Sequence, residues 1–73
     1  MTKDGYTITC TGYFGDYKED TENIVLHMSI TFLDGSQRKE MRYTKSNKKG
    51  IARTSMYGIK VKINLDTLEV IAA

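Results

Sequence analysis

The stretch IVLHMSITFL, residues 24–33, constrains this chain more than any other. Ile24, Leu26, Met28, Ile30 and Phe32 alternate without a break with Val25, His27, Ser29 and Thr31. Period two places the first set on one side of an extended strand and the second on the other. A strand face made only of large apolar residues must be covered, either by closure of the sheet on itself or by dimerisation. The strand runs into Asp34-Gly35, a dipeptide that supplies the positive φ angles of a type I′ turn. An antiparallel return through Gln37–Thr44 is therefore expected, with Met41 and Tyr43 inward and Arg38, Glu40 and Arg42 outward.

The rest of the chain reads in the same terms. In Tyr6–Phe14 the even positions Tyr6, Ile8, Cys10, Gly12 and Phe14 are expected to face inward, with Thr7, Thr9, Thr11 and Tyr13 outward. Gly12 and Gly15 flank Tyr13-Phe14 and suggest a bulge or a corner. Residues 51–57 fit neither period and predict an irregular strand or a single turn. Residues 59–65 alternate Ile59, Val61, Ile63 and Leu65 with Lys60, Lys62 and Asn64, a regular strand. The tail LDTLEVIAA is either a hairpin return through Asp66-Thr67 or a short C-terminal helix capped by Asp66. Its length and the β-branched pair Val70-Ile71 favour the strand. These elements predict an all-β fold: one small domain, 1–73, of four to five antiparallel strands, arranged as an open barrel of the SH3-like or OB-like kind or as a meander sheet.

At 73 residues the chain lies near the lower size limit of a domain, where folding buries only about 60% of the surface that the unfolded chain exposes. A composition of 40% hydrophobic and 27% charged residues is that of a globular protein rather than a disordered one. The single cysteine, Cys10, permits no internal disulfide, and no Cys/His spacing suits a metal, so neither metal nor cofactor is expected. The N-terminus has no signal-peptide pattern and no apolar run is long enough to span a membrane, which predicts a soluble cytoplasmic protein.

The modest net charge of +2 conceals a strong asymmetry. Residues 1–36 hold two lysines against six acids, −4, and residues 37–62 hold nine cations against Glu40 alone, +8. Asp66 and Glu69 add −2. If the strands 37–44 and 59–65 were neighbours, Arg38, Arg42, Lys60 and Lys62 would join Lys45, Lys48, Lys49 and Arg53 of the intervening segment in one cationic strip. Tyr43 or Tyr57 would lie near enough to stack on bases. Cations and aromatics on a β surface are what single-strand nucleic-acid binders use. Neutralising about four to six phosphates would give a log-log salt slope of roughly −3 to −4. The opposing explanation is that outward lysines on small sheets guard against edge aggregation and lysine-rich loops are often merely solvated.

The segment GDYKEDTEN, residues 15–23, carries the acids. Asp16, Glu19, Asp20 and Glu22 with the aromatics Tyr13 and Tyr17 could imitate phosphates against a nucleic-acid enzyme, or meet the basic end of a second copy in a homodimer; a solvated loop is the plainer reading. Chemistry is sparse. His27, the only histidine, is expected on an outward strand face without a second catalytic group, and Cys10 as a buried apolar residue. An enzyme is the least expected class. The expectation is a non-enzymatic module that binds nucleic acid, single-stranded by preference, through residues 38–62. The alternative is an accessory or inhibitor protein of the kind phages and mobile elements encode, acting by protein-protein binding to a larger nucleic-acid enzyme.

Overall fold

The computed structural model describes residues 1–19, 23–45 and 49–73. Among these lie seven strands: β1 (Thr2–Lys3), β2 (Tyr6–Phe14), β3 (Ile24–Thr31), β4 (Gln37–Thr44), β5 (Ile51–Met56), β6 (Ile59–Asn64) and β7 (Val70–Ala72). They form two antiparallel meanders, a four-stranded sheet β1-β2-β3-β4 and a three-stranded sheet β5-β6-β7. The all-β expectation holds, and the count exceeds four to five because the segment after Gly50 is a regular strand and both chain ends pair. The tail is a strand, and no helix among the described residues is long and apolar enough to cross a membrane.

The sheets pack face to face on a core set by the period-two faces. Ile8 and Cys10 of β2 and Ile24, Leu26, Met28 and Ile30 of β3 meet Ala52 and Met56 of β5, Ile59, Val61 and Ile63 of β6, and Val70 of β7. Burying one large aliphatic side chain of this kind contributes about 1.5–3 kcal/mol. Residues 51–57 hid their alternation because the inward positions of β5 include the small Ala52 and the polar Thr54, while Ile51 lies on the outer face.

Two expected orientations are reversed. Opposite β3, Cys10 pairs with Met28 but Gly12 pairs with His27, so Thr11 is the extra residue of a β-bulge. Beyond it the faces exchange: Tyr13 pairs with the inward Leu26 and packs on the core, and Phe14 pairs with Val25 and is 75% exposed. In β4 the register sets Arg38, Glu40, Arg42 and Thr44 beside the inward Ile30, Met28, Leu26 and Ile24. Met41 and Tyr43 therefore face outward, at 57% and 78% exposure. The second sheet does not reach far enough to bury them on the other side, so apolarity there does not mean inwardness.

The turns differ in kind as well. At Asp34-Gly35 only the glycine has positive φ. Gly35 N donates to Phe32 O (3.0 Å) and Phe32 N to Ser36 O (2.8 Å), a three-residue loop closed by a left-handed glycine rather than a type I′ turn. Asp34 Oδ1 accepts from Ser36 N and Oγ at 2.9 and 2.6 Å, which holds its carboxyl below the usual range. Consecutive positive φ values, as type I′ requires, occur at Asp4-Gly5 and at Tyr57-Gly58.

One end of the sandwich is plugged by Tyr17. Its ring lies on Gly50 and its hydroxyl donates to Asp66 Oδ1. Gly50 is buried with φ at +78°, and a Cβ there would stand 3.1 Å from the Tyr17 ring. Gly50→Ala should therefore combine backbone strain with a steric push and lower stability by about 1–3 kcal/mol, read from urea unfolding midpoints. The hydrogen bond to Asp66 pushes the Tyr17 phenol from 10.0 up to about 12. Since the folded state holds this proton more tightly, its contribution is complete below pH 10 and declines as pH rises through about 12. Alkaline difference absorbance should show a late tyrosine phase that Tyr17→Phe abolishes.

Candidate nucleic-acid interface

The outer face of the three-stranded sheet carries a cluster of positive charge. Because Ala52 and Met56 of β5 and Ile59, Val61 and Ile63 of β6 turn inward, alternation sends Arg53, Ser55, Lys60, Lys62 and Asn64 outward. The register sets Arg53 directly opposite Lys62 and Ser55 opposite Lys60, and Lys62 has Ile71 of β7 on its other side. Residues directly opposite have Cβ atoms about 4.5–5.5 Å apart, a distance at which like charges repel. The side chains of Arg53, Lys60 and Lys62 make no ion pair or hydrogen bond with any described residue. A shallow groove of about 210 Å³ runs across this face, lined by Ile51, Arg53, Lys62, Asn64, Glu69 and Ile71. Glu69 is its one acidic lining residue.

The continuous strip expected from the sequence does not form, because its premise fails. β4 is the edge of one sheet and β6 the centre of the other. Arg38 and Arg42 instead belong to a polar chain at the seam between β4 and the β5–β6 hairpin. Arg42 Nη2 pairs with Glu40 Oε2 at 2.6 Å, Tyr57 Oη donates to Glu40 Oε1 at 3.3 Å, and Arg38 Nη1 donates to Tyr57 Oη at 3.3 Å. Thr44 Oγ1 closes the same seam with a bond to Arg53 O. Lys45 and Lys49 are exposed in the segment that links the two sheets, and Lys48 lies outside the described residues.

Neither tyrosine of the expected stacking pair stands beside Arg53, Lys60 and Lys62. Tyr43 is on the outer face of the larger sheet. Tyr57 sits at a hairpin tip at φ +51°, its ring edge-on to Phe32 at 5.2 Å, with Phe32 in turn edge-on to Tyr6 at 5.8 Å. It joins the sheets through Phe32 while remaining 47% exposed. The acidic segment also changes character. Tyr17 is buried and Tyr13 half-buried against it at 6.3 Å, so the two form no exposed aromatic spot. Asp16 and Glu19 are exposed, Asp16 Oδ1 accepting from Lys18 N at 3.0 Å, and Asp20 and Glu22 lie outside the described residues.

A surface feature that sequence reasoning missed is the cross-strand row Phe14, Val25 and Tyr43 on the outer face of the larger sheet, with Met41 next to it. The glycines around the bulge were its only signal. His27 is exposed on the same face, and Cys10 is buried, with burial pushing its thiol up and Sγ donating to Gly12 O at 3.3 Å. No group of three or more His, Cys, Asp or Glu suited to a metal occurs among the described residues.

The opposed pair Arg53 and Lys62 costs stability as built. Lys62→Thr should raise stability by about 0.2–1 kcal/mol in low salt, since it removes a like-charge pair and adds a β-branched residue. Thermal unfolding at two ionic strengths checks this, with the gain shrinking as salt screens the repulsion. No protein-family model, curated protein or solved structure matches the chain, and function has to be read from these surfaces.

Proposed function

We propose that this protein is a non-enzymatic binding module that holds the phosphate backbone of a nucleic acid, single-stranded by preference, on the outer face of β5, β6 and β7. The observation that carries the reading is the juxtaposition of Arg53, Lys60 and Lys62, none of them in an ion pair with a described residue and with Glu69 the one acid lining their groove. A sheet that keeps two cations directly opposed accepts a repulsion that an anionic ligand would turn into attraction. Lys60 and Lys62 are two residues apart, about 6.8 Å along a strand, and Arg53 adds a fork that can grip a phosphate through two N–H groups. Ile51 and Ile71 beside them offer apolar surface to unpaired bases. Lys45 and Lys49 extend the positive surface at the linking segment.

A second reading, an accessory or inhibitor protein that docks onto a nucleic-acid-processing enzyme, is favoured by the row of Phe14, Val25 and Tyr43, whose two aromatic residues are exposed and whose valine is half-buried between them. Aromatic residues dominate the energetics of protein interfaces. The two readings use opposite faces of the sandwich and separate cleanly by mutation.

Fluorescence anisotropy with a labelled mixed-sequence single strand tests the first. Three to five neutralised phosphates predict a log-log salt slope of about −2 to −3.5. The double variant Arg53→Glu/Lys62→Glu should lose binding at least tenfold, whereas Thr9→Glu, exposed on the outer face of β2 in the other sheet, should stay within about twofold. Equal affinity for wild type and the double variant, or no binding at low salt, would overturn the proposal.

A further inference from the structure

The free edge of β4 carries the strongest inference beyond nucleic-acid binding. Ile8 exchanges hydrogen bonds with the first residue of the chain, through Ile8 N to Met1 O at 2.7 Å and the Met1 amino group to Ile8 O at 2.9 Å. Ile8 therefore turns its backbone away from Ile30, and Ile30 turns its own toward Arg38. The same phase follows from the Phe32–Ser36 bond at the hairpin. Along β4, Arg38, Glu40, Arg42 and Thr44 bond to β3, and Gln37, Lys39, Met41 and Tyr43 direct their N–H and C=O groups outward. All four of these residues are exposed, and no hydrogen bond from another described residue reaches their outward backbone groups. A strand edge of this length is a template for pairing.

We infer that β4 pairs with β4 of a second copy of this chain, antiparallel across a two-fold axis centred on Met41. The choice of occupant follows from the charges. A two-fold axis sets the residue at its centre against itself. Centred on Arg38, Lys39, Glu40 or Arg42 it would oppose like charges; centred on Met41 it opposes two exposed thioethers. In that register Glu40 of each copy faces Arg42 of the other on one side of the sheet, and Lys39 faces Tyr43 on the other side, a cation beside an aromatic ring. Every charged position of the strand except Arg38, which faces Thr44, meets a complementary group.

Strand pairing of this extent buries less than the roughly 1,200 Å² of a standard stable interface, so the dimer is expected to dissociate on dilution. Sedimentation equilibrium in low salt, from micromolar to millimolar protein, should show the mass rising from 8.3 kDa toward twice that value. Met41→Lys alters an exposed side chain, leaves the fold intact by circular dichroism, and should hold the protein monomeric by placing like charges on the axis. Glu40→Arg and Arg42→Glu should each be monomeric alone, and their equimolar mixture should form a heterodimer. The mixture restores opposite charges only between chains, so recovery there excludes a merely internal role for the Arg42–Glu40 pair. A wild-type mass that stays at 8.3 kDa at millimolar concentration, or a Met41→Lys variant that dimerises like wild type, would overturn the inference.

Discussion

A three-stranded sheet is too narrow to cover a four-stranded one, and most of what is distinctive here follows from that mismatch. β5, β6 and β7 supply enough apolar surface for the inner faces of β2 and β3. The inner positions of β4 are left at the margin, and they are Arg38, Glu40, Arg42 and Thr44. Large aliphatic side chains there would stay half wet and contribute little burial. Charged ones need partners, and the structure provides them through Arg42–Glu40, the Tyr57 hydroxyl and the Thr44 bond to β5. With side chains 34% and 24% exposed, the ion pair itself contributes on the order of 1 kcal/mol or less. Its larger role is to let the sheet end on polar groups that, apart from the buried Nε of Arg42, have partners.

Alternation made the strands legible. Tyr6–Phe14 and Gln37–Thr44 are read from sequence with the bounds observed, and the long apolar row of β3 announced a two-layer β structure. What alternation cannot convey is where the covering layer stops. Met41 and Tyr43 alternate with charges as an inward pair would, yet they are outward because the register with β3 gives the inner positions, at the margin of the covering sheet, to Arg38, Glu40, Arg42 and Thr44. The bulge at Thr11 is the second gap, since one inserted residue reverses every later assignment of face. β5 illustrates the converse: Ala52 and Thr54 are inward, small or polar, and so gave no periodic signal.

The candidate site was legible as composition but not as geometry. The +8 of residues 37–62 is real, but the fold gives its charges different fates according to which sheet they join. Arg42 meets an acid and Arg38 a hydroxyl at a seam. Arg53, Lys60 and Lys62 meet one another on an open face. Sequence reasoning could count these cations and pair β4 with β3 through the hairpin, but could not tell whether β6 lies along the other edge of β4, because that is decided by non-local packing. The Tyr17 plug is of the same kind: a tyrosine amid acids reads as exposed, and only its contact with Gly50 and its bond to Asp66, 49 residues away, bury it.

The cationic face of β5, β6 and β7 and the free edge of β4 are geometrically linked. An antiparallel pair of edge strands is related by a two-fold axis perpendicular to the sheet, so inner faces stay on one side and outer faces on the other. In a β4-to-β4 dimer both three-stranded sheets therefore lie on the same side of one continuous larger sheet. Their cationic faces, each with Arg53, Lys60 and Lys62, point the same way. A polyanion long enough to reach both would bind the second face as an intramolecular event, which raises overall affinity without any new contact. The opposite side of the dimer would carry Met41 at its centre with Tyr43 and Phe14 of both copies around it, an apolar surface free to meet protein. In such a dimer charge would lie on one side and aromatic side chains on the other, so that the proposed nucleic-acid contact and a protein contact would not compete for the same surface.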